Sequence, residues 1–95
     1  MIIILIKEPG EDLETREVED KLKNYQKIVG GYIETVSIAE NLILVCNEEG
    51  MLQNLPVNII GNNIFYGTVF FVRTEYENFA SLTDADIELI TSQLF

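Results

Sequence analysis

Histidine is absent from the 95 residues, and cysteine occurs once, at Cys46. Without imidazole the usual zinc sites cannot be assembled, and no Cys/His pair can generate a nucleophilic thiolate. A lone cysteine has no partner for an intramolecular disulfide, which favours a reducing setting and leads us to expect a cytoplasmic protein. Basic side chains are scarce as well: six Lys and Arg against sixteen Asp and Glu give a formal net charge of −10. Affinity for nucleic acid rests on clustered Lys and Arg, so direct nucleic-acid binding is not expected. Neither the G-x-G-x-x-G fingerprint nor the lysine-containing phosphate loop is present, and Gly30-Gly31 and Gly50 read as structural glycines. The apolar opening Met1 to Ile6 has no basic segment before it and stops at Lys7 and Glu8. That is far too short for a signal peptide or a membrane span, and no membrane partner is expected.

Internal repeats, low-complexity tracts and Ser/Pro linkers are also missing, so residues 1–95 read as a single domain. The initial Met and the lack of a tag-like segment suggest a complete small gene product. A core this small leaves little apolar surface spare, which favours a flat surface site over a deep pocket.

Ile2 to Ile6 form a continuous β-branched and leucine run closed by Pro9-Gly10, the pattern of a strand buried on both faces and then a turn. Residues 13–18 are ambiguous. Val18, Leu22, Tyr25 and Val29 recur at helical spacing, yet the turn could fold the stretch back as a hairpin strand, which we favour. Asp20 is then the expected N-cap of a short helix with Leu22, Tyr25, Ile28 and Val29 as its apolar stripe and Gly30-Gly31 at its end. Tyr32 to Ile38 reads as a strand with Ile33 and Thr35 on one face and Glu34, Val36 and Ile38 on the other. A short turn at Ala39-Glu40-Asn41 implies antiparallel pairing with the apolar run Leu42 to Cys46.

Asn47-Glu48-Glu49-Gly50 is a polar turn, and residues 51–62 around Pro56 suggest a half-buried loop with a helical turn. Ile64 to Arg73 is expected to be the last strand, interrupted at Gly67 by a bulge or a close backbone approach. Thr83 with Asp86 three residues on approximates a capping box, and Leu82 with Ile87 occupies the staple positions. A helix from about residue 84 should pack Ile87, Ile90 and Leu94 on the sheet. The expected fold is α+β, a mostly antiparallel sheet of four to five strands with two helices.

Charge is unevenly spread. Residues 1–27 hold five bases beside seven acids, whereas residues 28–95 hold nine acids and one base, Arg73. The total exceeds the magnitude of about 2 to 8 usual for small soluble domains, which makes a basic protein the natural partner. Glu34, Glu48, Glu49, Asn58, Glu75 and Glu77 are the candidate interaction surface. No catalytic residue, metal ligand or cofactor site is expected. Cys46 reads as a small core residue, Glu48-Glu49 as a solvated turn, and the asparagines between Asn41 and Asn63 as groups that satisfy turn backbone.

The ordered set Glu8-Pro9-Gly10, Gly30-Gly31-Tyr32-Ile33-Glu34, Asn47-Glu48-Glu49-Gly50, Leu55-Pro56-Val57-Asn58, Gly67 and Ser81-Leu82-Thr83-Asp84 spans nearly the whole chain. It resembles DUF3846, a family of small proteins of unknown function frequent in phages, plasmids and conjugative elements of bacteria. The resemblance supports the early hairpin and implies a mobile-element accessory role, and it carries no activity or catalytic residue to any position here.

Three functions of different kinds fit these observations. The first is an acidic protein that occupies the basic site of a host nucleic-acid-binding or defence protein by charge mimicry, which requires the carboxylates of residues 34–88 to gather on one surface. The second is a small-ligand or nucleotide-binding module built on residues 47–63. The third is a self-assembling component, whose sign would be an exposed apolar patch or sheet edge. An enzyme is not expected.

Overall fold

In the computed structural model, which describes residues 1–95, the chain builds an antiparallel sheet covered by one helix on each face. Its strands are β1 (Ile2–Lys7), β2 (Glu14–Val18), β3 (Ile33–Ala39), β4 (Leu42–Asn47), β7 (Val69–Glu75) and the short β8 (Asn78–Ala80). The order across the sheet is β2-β1-β7-β4-β3, with β8 also paired to β7. A second, two-stranded sheet is the hairpin of β5 (Val57–Ile60) and β6 (Asn63–Tyr66). The helices are α1 (Leu22–Val29) and α2 (Asp84–Leu94). The α+β class, antiparallel pairing and two helices are as the sequence implied.

The continuous apolar runs of β1, β4 and β7 are explained by the two-residue side-chain period of a strand covered on both sides. Leu5, Leu44, Cys46, Val69 and Phe71 face one way, toward Ile60, Leu82 and Ile90. Ile4, Ile6, Val45, Phe70 and Val72 face the other way, toward Tyr25 and Val29 of α1. Central strands therefore show no polar face, while the outer strand β3 alternates as expected: Val36 and Ile38 pack on the α2 side and Ile33 on the α1 side. The early hairpin is present, with Ile2 opposite Val18 and Ile6 opposite Glu14.

Two details of α1 differ from the sequence reading. Asp20 is not the N-cap: Lys21 holds that position without a side-chain cap, and the Asp20 carboxylate instead accepts the Tyr25 hydroxyl. Leu22 belongs to the first turn but is exposed, because α1 meets the sheet through Tyr25 and Val29 one and two turns later. Gly30 does end the helix, at φ 82°, and its N–H bonds the Gln26 carbonyl at 2.8 Å. Left-handed backbone of this kind is cheap only without a Cβ.

The larger correction concerns residues 51–80. Residues 57–60 are a strand, not part of a loop with a helical turn, and Ile64 to Arg73 is two strands in different sheets. Pro56 precedes β5, where its missing N–H costs nothing, and its carbonyl accepts the Gly67 N–H at 2.7 Å. Gly67, at φ 86°, turns the chain from the hairpin into the main sheet. A Cβ there would lie 2.7 Å from Leu55 Cδ1, so the Leu55 side chain crowds this position in addition to the Pro56 backbone. After β7 the chain turns at Tyr76 and Glu77, both at positive φ, into β8, so β7 is not the last strand.

At α2, Thr83 and Asp86 form the expected capping box: the Thr83 hydroxyl accepts the Asp86 N–H and the Asp86 carboxylate accepts the Thr83 N–H. Ile90 is buried, with Ile87 and Leu94 packed beside it. Asp86 has a further role invisible to the helix pattern: Arg73 of β7 donates to both its carboxylate oxygens, at 3.0 and 3.2 Å.

Candidate functional site

Asn58 lies on β5 with only 1% of its surface exposed, so it does not belong to an interaction surface. Its amide donates to the carbonyls of Lys7 and Gly67, at 2.8 and 2.9 Å, and thereby fastens the hairpin to β1 and to the start of β7. The Oδ1 atom is buried without a protein partner. Asn47 is also internal: its amide bonds the Val29 carbonyl and Gln53, and its Oδ1 accepts the Glu49 N–H. The small-ligand reading of residues 47–63 thus loses two of its polar groups to the protein's own backbone.

The five remaining residues separate into two places. Glu34 of β3 stands opposite Cys46 of β4, and Glu48-Glu49 follow immediately after the end of β4. Glu75 and Glu77 lie at the opposite end of the sheet, where the Thr74 N–H bonds the Asn41 carbonyl in the β3–β4 turn. The length of β4 separates the two groups by roughly 17 Å. The carboxylates of residues 34–88 are therefore not one continuous patch.

The first group adjoins a surface that sequence periodicity alone did not reveal. On β5 the inward positions are Asn58 and Ile60, and the outward ones, Val57 and Ile59, are 53% and 63% exposed. Their partners across the hairpin are Tyr66 and Ile64, the latter 60% exposed. Val57, Ile59 and Ile64 point outward while Asn58 and the core residue Ile60 point inward, so the hairpin carries an unpartnered apolar face. The signal available in the sequence was Gly61-Asn62, a two-residue hairpin connection between alternating segments. A shallow hollow of about 250 Å³ joins this hairpin to the acids, lined by Glu34, Cys46, Glu48, Met51, Ile64 and Tyr66 among others, with no Lys or Arg.

Cys46 sits at the base of that hollow, its thiol 3.9 Å from the Glu34 carboxylate. Burial, and then the charge of Glu34, push the thiol up from its ordinary value of 9.0 to about 11. It is a buried core residue, as the sequence indicated, and a poor nucleophile at neutral pH. Tyr25 is raised above its usual 10.0 by burial and then by its hydrogen bond to Asp20 and that carboxylate's charge.

These shifts have a stability consequence of definite sign. Between pH 9 and 11 the unfolded chain has lost the Cys46 proton and the folded chain retains it, so stability falls as pH rises through that window. The loss should reach about 1 kcal/mol by pH 10 from Cys46 alone. Urea unfolding of Cys46→Ala at pH 8 and pH 10 should show a smaller drop than the parent; equal drops would mean the thiol does not set the alkaline limit.

Elsewhere, the largest groove, about 490 Å³, runs between β2 and α1 and mixes Arg16 and Lys27 with Glu8, Glu17 and Glu19. Its signs are too balanced to select an anion. No three His, Cys, Asp or Glu side chains are grouped as they would be to hold a metal. No helix is long and apolar enough to cross a membrane.

The model of one family, described as a domain of unknown function (DUF3846), matches residues 1–94. The chain belongs to that family. No curated protein and no solved structure matches it significantly. For this DUF3846 chain the functional reading therefore rests on the surface just described: the Glu34 and Glu48 carboxylates beside an apolar hairpin face, Glu49 next in the chain, and the only base of residues 28–95, Arg73, already held by Asp86 and Glu75.

Proposed function

We propose that the chain is a non-enzymatic protein-binding module for a basic partner, a cytoplasmic mobile-element accessory protein that blocks a host nucleic-acid-binding or defence protein by charge mimicry. One observation carries the reading. Glu34 and Glu48 share a hollow with the exposed Met51 and Ile64, and no cation lines it. Apolar contact supplies affinity there and the carboxylates select a basic counterpart. Because Glu75 and Glu77 stand apart, the carboxylates of residues 34–88 do not gather on one surface, and the mimicry we propose is a local one confined to Glu34, Glu48 and Glu49.

The test is affinity capture from host extract, eluted in a salt series, with the triple variant Glu34→Gln, Glu48→Gln, Glu49→Gln as comparator. A nucleic-acid-binding protein held by the parent, released as salt rises, displaced by a phosphate polymer and lost with the variant is the expected result. Equal retention by the variant would remove the charge argument.

Self-assembly is the second reading, favoured by the outward apolar face of the β5–β6 hairpin. Salt separates the two. Screening a net charge of −10 would strengthen association between copies, whereas it weakens capture of a basic partner. Sedimentation at low and high salt should show a monomer at both if the first reading holds.

A further inference from the structure

Strand β3 ends the sheet on one side, with no strand beyond it. The Tyr32 carbonyl accepts the Glu48 N–H, so the antiparallel alternation turns the backbone N–H and C=O groups of Ile33, Thr35 and Ser37 away from β4. An exposed row of this kind is a template for another strand unless something blunts it. The opposite edge is blunted: β2 carries Glu14, Arg16 and Glu17, the first two ion-paired at 3.1 Å. Along β3 the only charge is Glu34, and its one irregularity, a register shift between Ser37 and Ala39, lies past the regular stretch Ile33 to Ser37.

Two hollows lie along this edge on the α2 side. One is the acidic hollow at Glu34 and Glu48, of about 250 Å³. The other, of about 300 Å³, is lined by Ile38, Ala39, Leu42, Leu89, Ile90, Gln93 and Leu94, all apolar but one. Glu34 and Ile38 share a face and stand four residues apart, about 13 Å along a strand.

We propose that β3 is the docking edge for an extended basic segment of the partner protein, which pairs with β3 as an added strand. The segment places an Arg or Lys in the Glu34/Glu48 hollow and, four residues away on the same face, an apolar side chain in the hollow between Ile38 and Leu94. Main-chain hydrogen bonds hold it and the two side chains specify it. Charge decides between occupants. A second copy would bring another −10 and a second Glu34 to the same edge, whereas a basic segment neutralises carboxylates that have no cation of their own. The inference rests on the basic-partner reading and adds its geometry.

The probe is a synthetic nine-residue peptide of alternating Thr and Val with Arg and Leu four positions apart, added to the ¹⁵N-labelled full chain. Controls are the same composition with Arg and Leu three apart, and the first peptide N-methylated on its β3-facing amides. Expected are slowed hydrogen exchange at Ile33, Thr35 and Ser37, at least tenfold weaker binding of both controls, and a three- to tenfold loss with Glu34→Gln plus Glu48→Gln. Thr35→Pro should abolish binding; because that N–H faces outward, the variant keeps its ladder bonds, and the N-methyl control covers the case in which it misfolds. Binding that leaves the β3 amides unchanged and disappears with Ile59→Asp overturns the edge proposal and leaves the basic-partner reading intact. Concentration-dependent protection of those amides in the free protein assigns the edge to a second copy and also overturns it. Absence of binding by any of these basic peptides overturns both.

Discussion

Asp86→Ala is expected to lower stability by about 3 kcal/mol in urea unfolding, the largest loss at any charged residue of this chain. Asp86 is 7% exposed and satisfies two structures at once. Its carboxylate accepts the Thr83 N–H at 2.9 Å, closing the capping box of α2, and it receives two bonds from Arg73 of β7. Truncation leaves a helix-terminal donor without its acceptor and a half-buried guanidinium with only Glu75, 3.5 Å away. A missing cap accounts for about 1 kcal/mol, and the orphaned cation for the larger remainder. Asp86→Asn keeps an acceptor for Thr83 and should fall between the two. In a double-mutant cycle with Arg73→Ala, a strong positive coupling is expected. Independent effects would show that Arg73 finds equivalent solvation without Asp86.

Asn58→Asp is expected to be at least as damaging at pH 7, by about 3 kcal/mol or more. The amide that Asn58 presents to the Lys7 and Gly67 carbonyls would become an acceptor aimed at two acceptors, in a site from which water is excluded. The cheapest escape is protonation, so the folded-state pKa of the new carboxyl must rise above its unfolded value of about 3.9. Stability relative to the parent is then lost as pH rises through that folded pKa, and the deficit should narrow between pH 7 and pH 5. Asn58→Leu removes the bonds without introducing charge and should cost about 2 kcal/mol with no pH dependence. A flat pH response in Asn58→Asp would mean that the hairpin detaches from β1 rather than burying the acid. Hydrogen exchange in β5 and β6 distinguishes that outcome.

Both residues also mark the limit of what local pattern conveys. Thr83 and Asp86 were readable as a capping box because both partners lie within four residues, whereas the pairing of Asp86 with Arg73 depends on β7 passing beneath α2. Asn58 was readable as polar and therefore assigned to the surface. Its burial follows from two carbonyls, one of them 51 residues away. Asp20 failed for a related reason. Its carboxylate had a competing local donor in the Tyr25 hydroxyl, and spacing cannot say which bond forms. Hairpin β5–β6 was missed because Val57 and Ile59 point outward while Asn58 and Ile60 point inward, so polarity does not follow the half-buried alternation expected of a strand.

What the sequence determined by itself were the features that short-range chemistry decides. These include the doubly buried strands at Ile2–Ile6 and Leu42–Cys46, the stop at Gly30, the cap at Thr83, the core position of Cys46 and the poverty of cations after Lys27. Each depends on the period of one element, one backbone conformation or a simple count. Only the tertiary structure decided which carboxylates stand together, because Glu34 and Glu48 meet through antiparallel pairing while Glu75 and Glu77 are carried to the far end of β7. It also decided that β3 is the open edge, with Glu34 as its one charge, and that two hollows flank it. Strand order and hairpin docking arise from contacts between residues far apart in the chain, and no local pattern encodes them.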